Sequence, residues 1–572
     1  MKFDAFTAGG SFTLASVSAA SELAMNYYAD PIQGVANAEK GPMALVRTPG
    51  ISLFTTLPQG PTRGLWPGQN RLFAAGGSHL YEVLANGMTV DNGYIGNDGL
   101  PVQILSNGSQ LYIVSDGLAW IDAGVSEAGG AGPPPPPSGA VPIFQSILLF
   151  DLSIDAGTGG LTGATGGIFD STDVGETICI TSGAGFTVQC QIVTSVVSGQ
   201  AFGASGWGTG GSTGGEGIEW LYVEGQLAAN QGAFLDGYFF ASAYNSNKVY
   251  FSAIDDGTMW NPLDYFIKAS YPDNVAALAG DHQELYVFGD LESSQVFQDT
   301  GDANSPFQPN PGAIMHFGCV APFSVTRLGQ GLAWLGGDVR RGDRFAFLAV
   351  GFQPEKISTA AEEIAWGAYS TIEDAISYSE IYNGHEFWVV HFPSGNATWA
   401  YDLTTGIWAQ RGWWTGAFDA NGFPVWARQR QSFHAVVSLG NTLTEKHYVG
   451  DWQNGQIYIQ SAAYLTDNGT TIYRQRSCPH LTQENLRTFY HRFEIDCDVT
   501  GLMRVFWNLL GYGRDRIWSV VAWQPTGQGV SLQLWFSDTR AQTWQSKPAQ
   551  TLASTVDVTL ANAYLMLTPG SS

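Results

Sequence analysis

Along most of the chain, bulky apolar residues gather in short runs separated by Gly, Asn and Asp. Arg71 to Val83, Gln110 to Ile121, Gly237 to Phe251, Glu284 to Phe297, Gly384 to Trp408 and His447 to Ile459 each read as strand, tight turn, strand. In the hairpin Glu386 to Phe392, with a turn at Ser394-Gly395-Asn396 and a return over Thr398 to Tyr401, bulky residues occupy both faces, as in a sheet covered on both sides. The hairpins recur irregularly at ~40–50 residues, the length of a four-stranded propeller blade. A radial stack of such sheets buries both faces and protects the edges, so the expected fold class is mainly β with a β-propeller core. A set of β-sandwich domains would give the same local pattern. Helix signal is sparse: Ile357 to Ile376 carries Ser358 or Thr359 as a candidate N-cap, with Glu362 completing a capping box for one or two short helices.

The composition changes between Gly129 and Gly217. The proline run Pro133 to Pro137 cannot pair in a ladder and reads as an extended spacer. Ile143 to Ile154 follows as a β-like stretch, then a hairpin in which Thr177 to Thr181 and Val188 to Ile192 flank Ser182-Gly183-Ala184-Gly185. Cys179 and Cys190 would face each other there, with a free thiol pair preferred over a bond. Gly203 to Gly217 is nearly pure Gly, Ser and Thr apart from Trp207 and reads as a flexible stalk. Four regions result: 1–128, an N-terminal segment and the first propeller strands; 129–217, an inserted small β subdomain; 218–472, the remaining blades; and 473–572, a C-terminal β region.

Of 572 residues, 25 are Lys or Arg and 50 are Asp or Glu, a formal net charge of −25, and only 13% are charged. Phosphate binding draws its free energy from Lys and Arg displacing counterions, so tight nonspecific DNA binding is disfavoured. No run of ~18 apolar residues exists to span a membrane, and the first residues lack the apolar core of a secretory signal. The cysteines at 179, 190, 319, 478 and 497 are odd in number, which suits reduced thiols made in a cytoplasm.

Candidate chemistry is thin. Gly206-Trp207-Gly208-Thr209-Gly210-Gly211 has the dinucleotide-binding spacing and Gly210-Gly211-Ser212-Thr213-Gly214 the hydrolase nucleophile spacing. Neither has the preceding strand and following helix that aim amides or a serine. The histidines show no zinc-ligand spacing, and Cys478-Pro479-His480 and Cys497-Asp498 lack a second pair. Arg340, Arg341 and Arg344 beside Asp338 and Asp343 read as a solvated turn. No catalytic, cofactor-binding or metal-binding residue is nominated, and no cofactor is expected. Ser252 to Trp260 and Ser537 to Trp544 resemble the aspartate-box hairpins of sialidase-type propellers, in which Asp accepts turn amides and Trp packs between strands.

An ordered series of motifs resembles the tail nozzle or tail hub (packaged-DNA stabilisation) proteins of short-tailed bacteriophages. It opens with Gly9-Gly10-Ser11-Phe12-Thr13-Leu14, Ser16, Asn26-Tyr27-Tyr28 with Asp30, and Leu45 to Gly50. It continues through Gly60, Arg63-Gly64, Leu72 to Val83, Phe234 to Phe239, Ser252 to Trp260, Pro272-Asp273, Leu285 to Gly289, Thr300-Gly301 with Pro306-Phe307, and Gly384 to Trp408. The resemblance covers about 1–128 and 218–460, and not Gly129 to Gly217. It implies a non-enzymatic structural protein of the virion tail, made in the bacterial host cytoplasm. It further implies a homohexameric ring that extends the DNA channel below the portal, retaining packaged DNA and guiding its ejection. The implied partners are a portal-adaptor protein, a tailspike or tail fibre, a tail needle or plug, and duplex DNA passing without tight binding. The rival reading is a propeller glycosidase or carbohydrate-binding protein with surface tryptophans as a sugar platform.

Overall fold

The computed structural model describes residues 2–3, 10–13, 21–31, 43–68, 70–123, 139–143, 146–163, 169, 174, 177–187, 189–220, 226–302, 305–337, 342, 344–419, 424–441, 444–478 and, beyond them, strands between 488 and 569. Two compact units emerge. Unit 1 is Met1–Gly76, Val83–Thr89 and Cys319–Ser572, and unit 2 is Gly77–Glu82 and Val90–Gly318.

Unit 2 contains three four-stranded antiparallel sheets. Sheet A is Gln103–Ser106, Leu111–Ser115, Leu118–Asp122 and Val141–Pro142. Sheet B is Gln231–Leu235, Tyr238–Ser242, Lys248–Phe251 and Tyr265–Ile267. Sheet C is Val275–Asp281, Glu284–Gly289, Ser294–Asp299 and Phe307–Met315. The two-residue turns Asp116-Gly117 (φ 59° and 70°) and Asp236-Gly237 (φ 48° and 89°) take the left-handed conformation that matches strand twist. Alternation then decides the packing. Phe239 and Ala241 enter a core with Tyr112, Ile121 and Trp260, while Phe240 between them enters another with Leu285, Val287, Phe297 and Phe307. Sheet B is therefore covered on both faces, as a propeller blade is.

A closed six-stranded barrel interrupts these sheets: Ser146–Ile154, Leu161–Thr162, Gln200–Gly203, Cys190–Val197, Thr177–Ser182 and Thr213–Trp220 around the ring. Cys179 and Cys190 are register partners. The barrel has its own core, including Leu152, Leu161, Ile178, Val193 and Trp207. Two expectations change here. The glycine-rich stretch is barrel wall rather than a stalk, because Trp207 is inserted into the core with its indole N–H on Ala201 O (2.9 Å). Gly215 packs so closely on Phe186 that a Cβ would lie 2.6 Å from the ring. The strand after the proline run, Val141–Pro142, pairs with Trp120 and Ile121 and so completes sheet A. Pro133 to Pro137 lies outside the described residues.

In unit 1, sheet D is Thr326–Leu328, Gly331–Gly336, Phe345–Val350 and Gln353–Lys356. Sheet E is Ile376–Tyr382, His385–Phe392, Ala397–Asp402 and Ile407–Arg411. Sheet F takes Gln431–Val437, Lys446–Asp451 and Gln456–Ser461 from late in the chain and its fourth strand, Gly50–Thr56, from the start. Trp388, Val390 and Phe392 face the core shared with sheet D, and Phe387 and Val389 face the opposite one. Among the described residues one α-helix, Ala360–Gly367, begins at the N-cap Thr359 with Glu362 closing the capping box, and Trp366 anchors it in the D–E core. The chain then turns back into a strand at Ile376, so one short helix forms where the capping box placed it.

The two chain ends are interwoven. Ser21–Met25 lies between Ile407–Arg411 and Arg474–Cys478, extending sheet E toward Ala549–Ser554. Tyr27–Pro31 and Met43–Arg47 join a sheet with Val558–Pro569, Thr488–Thr500 and Thr526–Trp535. The C-terminal β region thus includes strands from the first 47 residues, a pairing that no local pattern announces.

Candidate functional site

The motifs that might have carried chemistry prove architectural. In Ser252 to Trp260, Asp256 Oδ1 accepts the Thr258 amide (2.9 Å) and hydroxyl (2.6 Å), and the buried Trp260 donates to Gly257 O (2.8 Å). The second such segment, Ser537 to Trp544, lies outside the described residues, as do Arg340 and Arg341. Arg344 spans two carbonyls at the helix end, Trp366 O and Tyr369 O (3.0 Å to the latter). Cys319 is buried, and burial pushes its thiol up to about 12, far from a reactive thiolate. Among the described residues no group of three or more His, Cys, Asp or Glu could hold a metal ion, and no helix is long and apolar enough to cross a membrane.

The N-terminal motif residues form a joint within unit 1. Asn26, with φ 58°, donates to Gly412 O (3.0 Å) and Tyr473 O (2.8 Å) and accepts from Gly412 N (2.9 Å). Tyr28 packs edge-on against Phe387 at 5.3 Å, and His385 stands between Asp402 (2.8 Å) and Asp30 (3.5 Å). Gly10 approaches so closely that a Cβ would lie 1.8 Å from Trp408 O. Residues far apart in sequence are thus held together where the chain ends meet sheet E.

The junction between sheets E and F is polar. Glu380 and Arg411, both buried, form an ion pair; Gln460 Nε2 donates to Glu380 Oε2 (2.8 Å), and Arg411 Nη2 reaches Tyr382 Oη (3.3 Å). His434 Nδ1 donates to Ser379 O (2.9 Å), leaving Nε2 to accept from His447 Nδ1 (2.9 Å). Burial lowers the His434 pKa to about 4, against the opposing pull of the Glu380 carboxylate. Gln429 N donates to Thr398 Oγ1 (3.0 Å), which also bonds His391 Nδ1 (2.9 Å).

Sequence reasoning had only the total charge; the units divide it unequally. Unit 2 holds 25 of the 50 acidic residues but 2 of the 25 basic ones, so its formal charge is −23 and that of unit 1 is −2. The signal was countable: between Arg71 and Lys248 there is no Lys or Arg. Of the two cations in unit 2, Lys268 is buried against Asp273 with Ser293 Oγ at 3.1 Å, and Lys248 lies over the Tyr265 ring at 4.1 Å. Several carboxylates are instead held by backbone amides. Asp155 accepts Thr158 N (2.7 Å) and Gly157 N (2.9 Å), bonds that hold its pKa below the usual range. Asp98, Asp290 and Asp299 accept from Leu100, Asn274 and Gly301 at 2.9, 3.1 and 2.8 Å.

Residues 225–463 match the family described as bacteriophage P22 Gp10, beta-propeller, a span holding sheets B to E and the late strands of sheet F. The match takes in less than half of the chain. No curated protein matches. Solved structures align at low similarity: the N-terminal domain of Nup159 at 9% identity over 77% of this chain and 99% of that one (TM-score 0.33), and the WD40 beta propeller domain of Doa1 at 9% over 72% and 97% (TM-score 0.33). Saccharomyces cerevisiae Sqt1 aligns at 9% over 72% and 98% (TM-score 0.32). Alignments at such scores carry no functional argument. The chain is mainly β and a β-propeller, with a family match to a phage protein.

Proposed function

We propose that this chain is a structural subunit of a short-tailed phage tail, forming the nozzle or hub ring that extends the DNA channel below the portal and adaptor. One observation carries the reading: residues 225–463 match the phage propeller family. The ordered motifs before that span, from Gly10 through Asn26, Tyr28 and Asp30, support it, because they join the chain ends to sheet E rather than build a catalytic centre. In this reading the subunits close into a hexamer that meets an adaptor above and a spike, fibre or needle below, and DNA slides past without being gripped. The charge of −23 on unit 2 favours repulsion of a phosphate backbone, screened beyond ~8 Å at physiological ionic strength.

Two features of the described residues weigh against the glycosidase reading. The described aspartate box is a turn, and Trp207, Trp260, Trp334, Trp366 and Trp388 are fully buried rather than displayed as a sugar platform. Mass measurement at micromolar concentration, with the adaptor present, should find a closed ring. A strictly monomeric species in intact virions would end the proposal, and glycan turnover by the isolated chain would restore its rival. Filter binding should find no retention of duplex DNA at physiological salt; submicromolar, salt-sensitive retention would refute the sliding-wall account.

A further inference from the structure

Sheets D and E meet through a dry core in which Leu335, Trp366, Trp388, Phe392, Trp399 and Trp408 interlock. The opposite side of sheet E meets sheet F quite differently. There Gln460 reaches Glu380, which is paired with Arg411 inside sheet E, His434 bonds Ser379 O and stacks on Tyr378 at 5.4 Å, and Gln429 bonds Thr398. One apolar cluster of sheet F among the described residues is small: Ile51, Val449 and Tyr458, with Trp413 against it. Several buried polar atoms along this junction lack a hydrogen-bond partner: His391 Nε2, Gln429 Oε1 and Gln460 Oε1, together with Gln431 Oε1 and Ser432 Oγ at the start of sheet F. Sheet F is also closed by noncovalent pairing of Gly50–Thr56 with Gln456–Ser461.

Opening a dry junction puts apolar surface into water and recovers nothing. Opening a polar junction returns hydration to charges and to atoms that were only partly bonded, so much of the cost is recovered. We propose that sheet F, including its N-terminal strand Gly50–Thr56, parts from sheet E as one cooperative unit along this polar seam, well below the free energy of global unfolding. The device is local and independent of the oligomer or partner, so it stands or falls apart from the tail reading. Its counterpart in stability terms is a foldon whose boundary is set by side-chain chemistry rather than by chain connectivity.

Hydrogen exchange read by mass spectrometry on the full chain tests this. Peptides covering 431–437, 446–451 and 50–56 should exchange together and at least tenfold faster than those covering 331–336 and 385–392. Equal rates across the two junctions, or strands of sheet F exchanging separately, would overturn the proposal. Replacing the buried pair by apolar residues, Glu380→Met with Arg411→Met, should slow exchange in sheet F about tenfold while leaving 331–336 unchanged. Unchanged or faster exchange in a folded double variant would refute the seam as the cause. Should that variant fail to fold, the order of the wild-type peptides decides alone.

Discussion

Units 1 and 2 are both built from β-sheets covered on both faces and stabilise them with different chemistry. Unit 1 carries 25 acidic and 23 basic residues and uses them in pairs, some wholly buried, such as Glu380 with Arg411. Unit 2 carries 25 acidic and 2 basic residues, and many of its carboxylates sit at turns where backbone N–H groups serve as partners. A β-sheet protein rich in tight turns offers many such amides, so an acidic surface need not be matched by cations. The difference teaches that blade architecture is set by alternating apolar faces and turn geometry, whereas charge is free to be assigned to other ends. In unit 2 that freedom has been spent on one sign.

The comparison breaks first if the apolar cores are not what the units share. Trp388→Ala, in the D–E core, should cost about 3–5 kcal/mol, and Trp260→Ala, in the A–B core, a similar amount. Denaturant titrations of the two variants check this. A loss under 1 kcal/mol in either would mean that the polar contacts, not the shared cores, hold that unit.

Acid should act on unit 1 through its buried histidine. His434 is held at about 4 by burial, below the ~6.5 of an unfolded histidine, so between those values the unfolded chain binds the extra proton. Stability from this group is complete above ~6.5 and is lost as pH falls toward 4, by up to about 3 kcal/mol. His434→Gln should abolish that slope, so the stability gap between wild type and variant narrows over this range. Asp467 works in the opposite sense: burial raises its pKa to about 7, so acidification through that value relieves a cost, and Asp467→Asn should remove the relief. Paired urea titrations at pH 7.5 and 4.5 separate the two. A gap that does not change with pH would remove His434 from the account.

The sheets were legible in sequence for the same reason that they are stable. Phe239, Phe240 and Ala241 alternate between two cores, so the run is bulky on both faces, and Asp236-Gly237 marks the turn. The register of Cys179 opposite Cys190 and the Thr359–Glu362 capping box were equally local and equally readable. Nothing local announces that Gly50–Thr56 closes sheet F across some 400 residues of intervening chain, or that Asn26 bonds Gly412 and Tyr473. Glycine content misled at 203–217, because the same composition serves a loose linker and a wall packed tightly on Phe186. The division of charge was present in the sequence but hidden by summing over the whole chain.

Salt gives a weaker lever on unit 2. Self-repulsion among 25 acidic residues with 2 cations should be screened as ionic strength rises, whereas the buried pairs of unit 1 should respond little. Raising sodium chloride from about 0.02 to 0.5 M should slow hydrogen exchange in peptides of sheets A to C by several-fold, on the order of 1 kcal/mol. Peptides of sheets D and E should change less than twofold. An equal response in both units would mean that the charge of unit 2 is already neutralised locally.

The smallest effect bears most directly on why the acids of unit 2 need no cations. If the carboxylate of Asp256 serves as an acceptor for the Thr258 amide and hydroxyl, its charge is incidental to the turn, and an amide oxygen at the same position should do nearly as well. Asp256→Asn should therefore cost less than about 0.5 kcal/mol, while Asp256→Ala, which leaves the turn amide without that acceptor, should cost about 1 kcal/mol. The contrast also fixes the sign of any electrostatic share. Removing one negative charge from a unit at −23 relieves repulsion, so the asparagine variant should gain on wild type at low salt and lose that gain at 0.5 M. If asparagine proves as costly as alanine, the carboxylate charge itself is needed at the turn, and holding acids by backbone amides alone would not explain how unit 2 tolerates its composition.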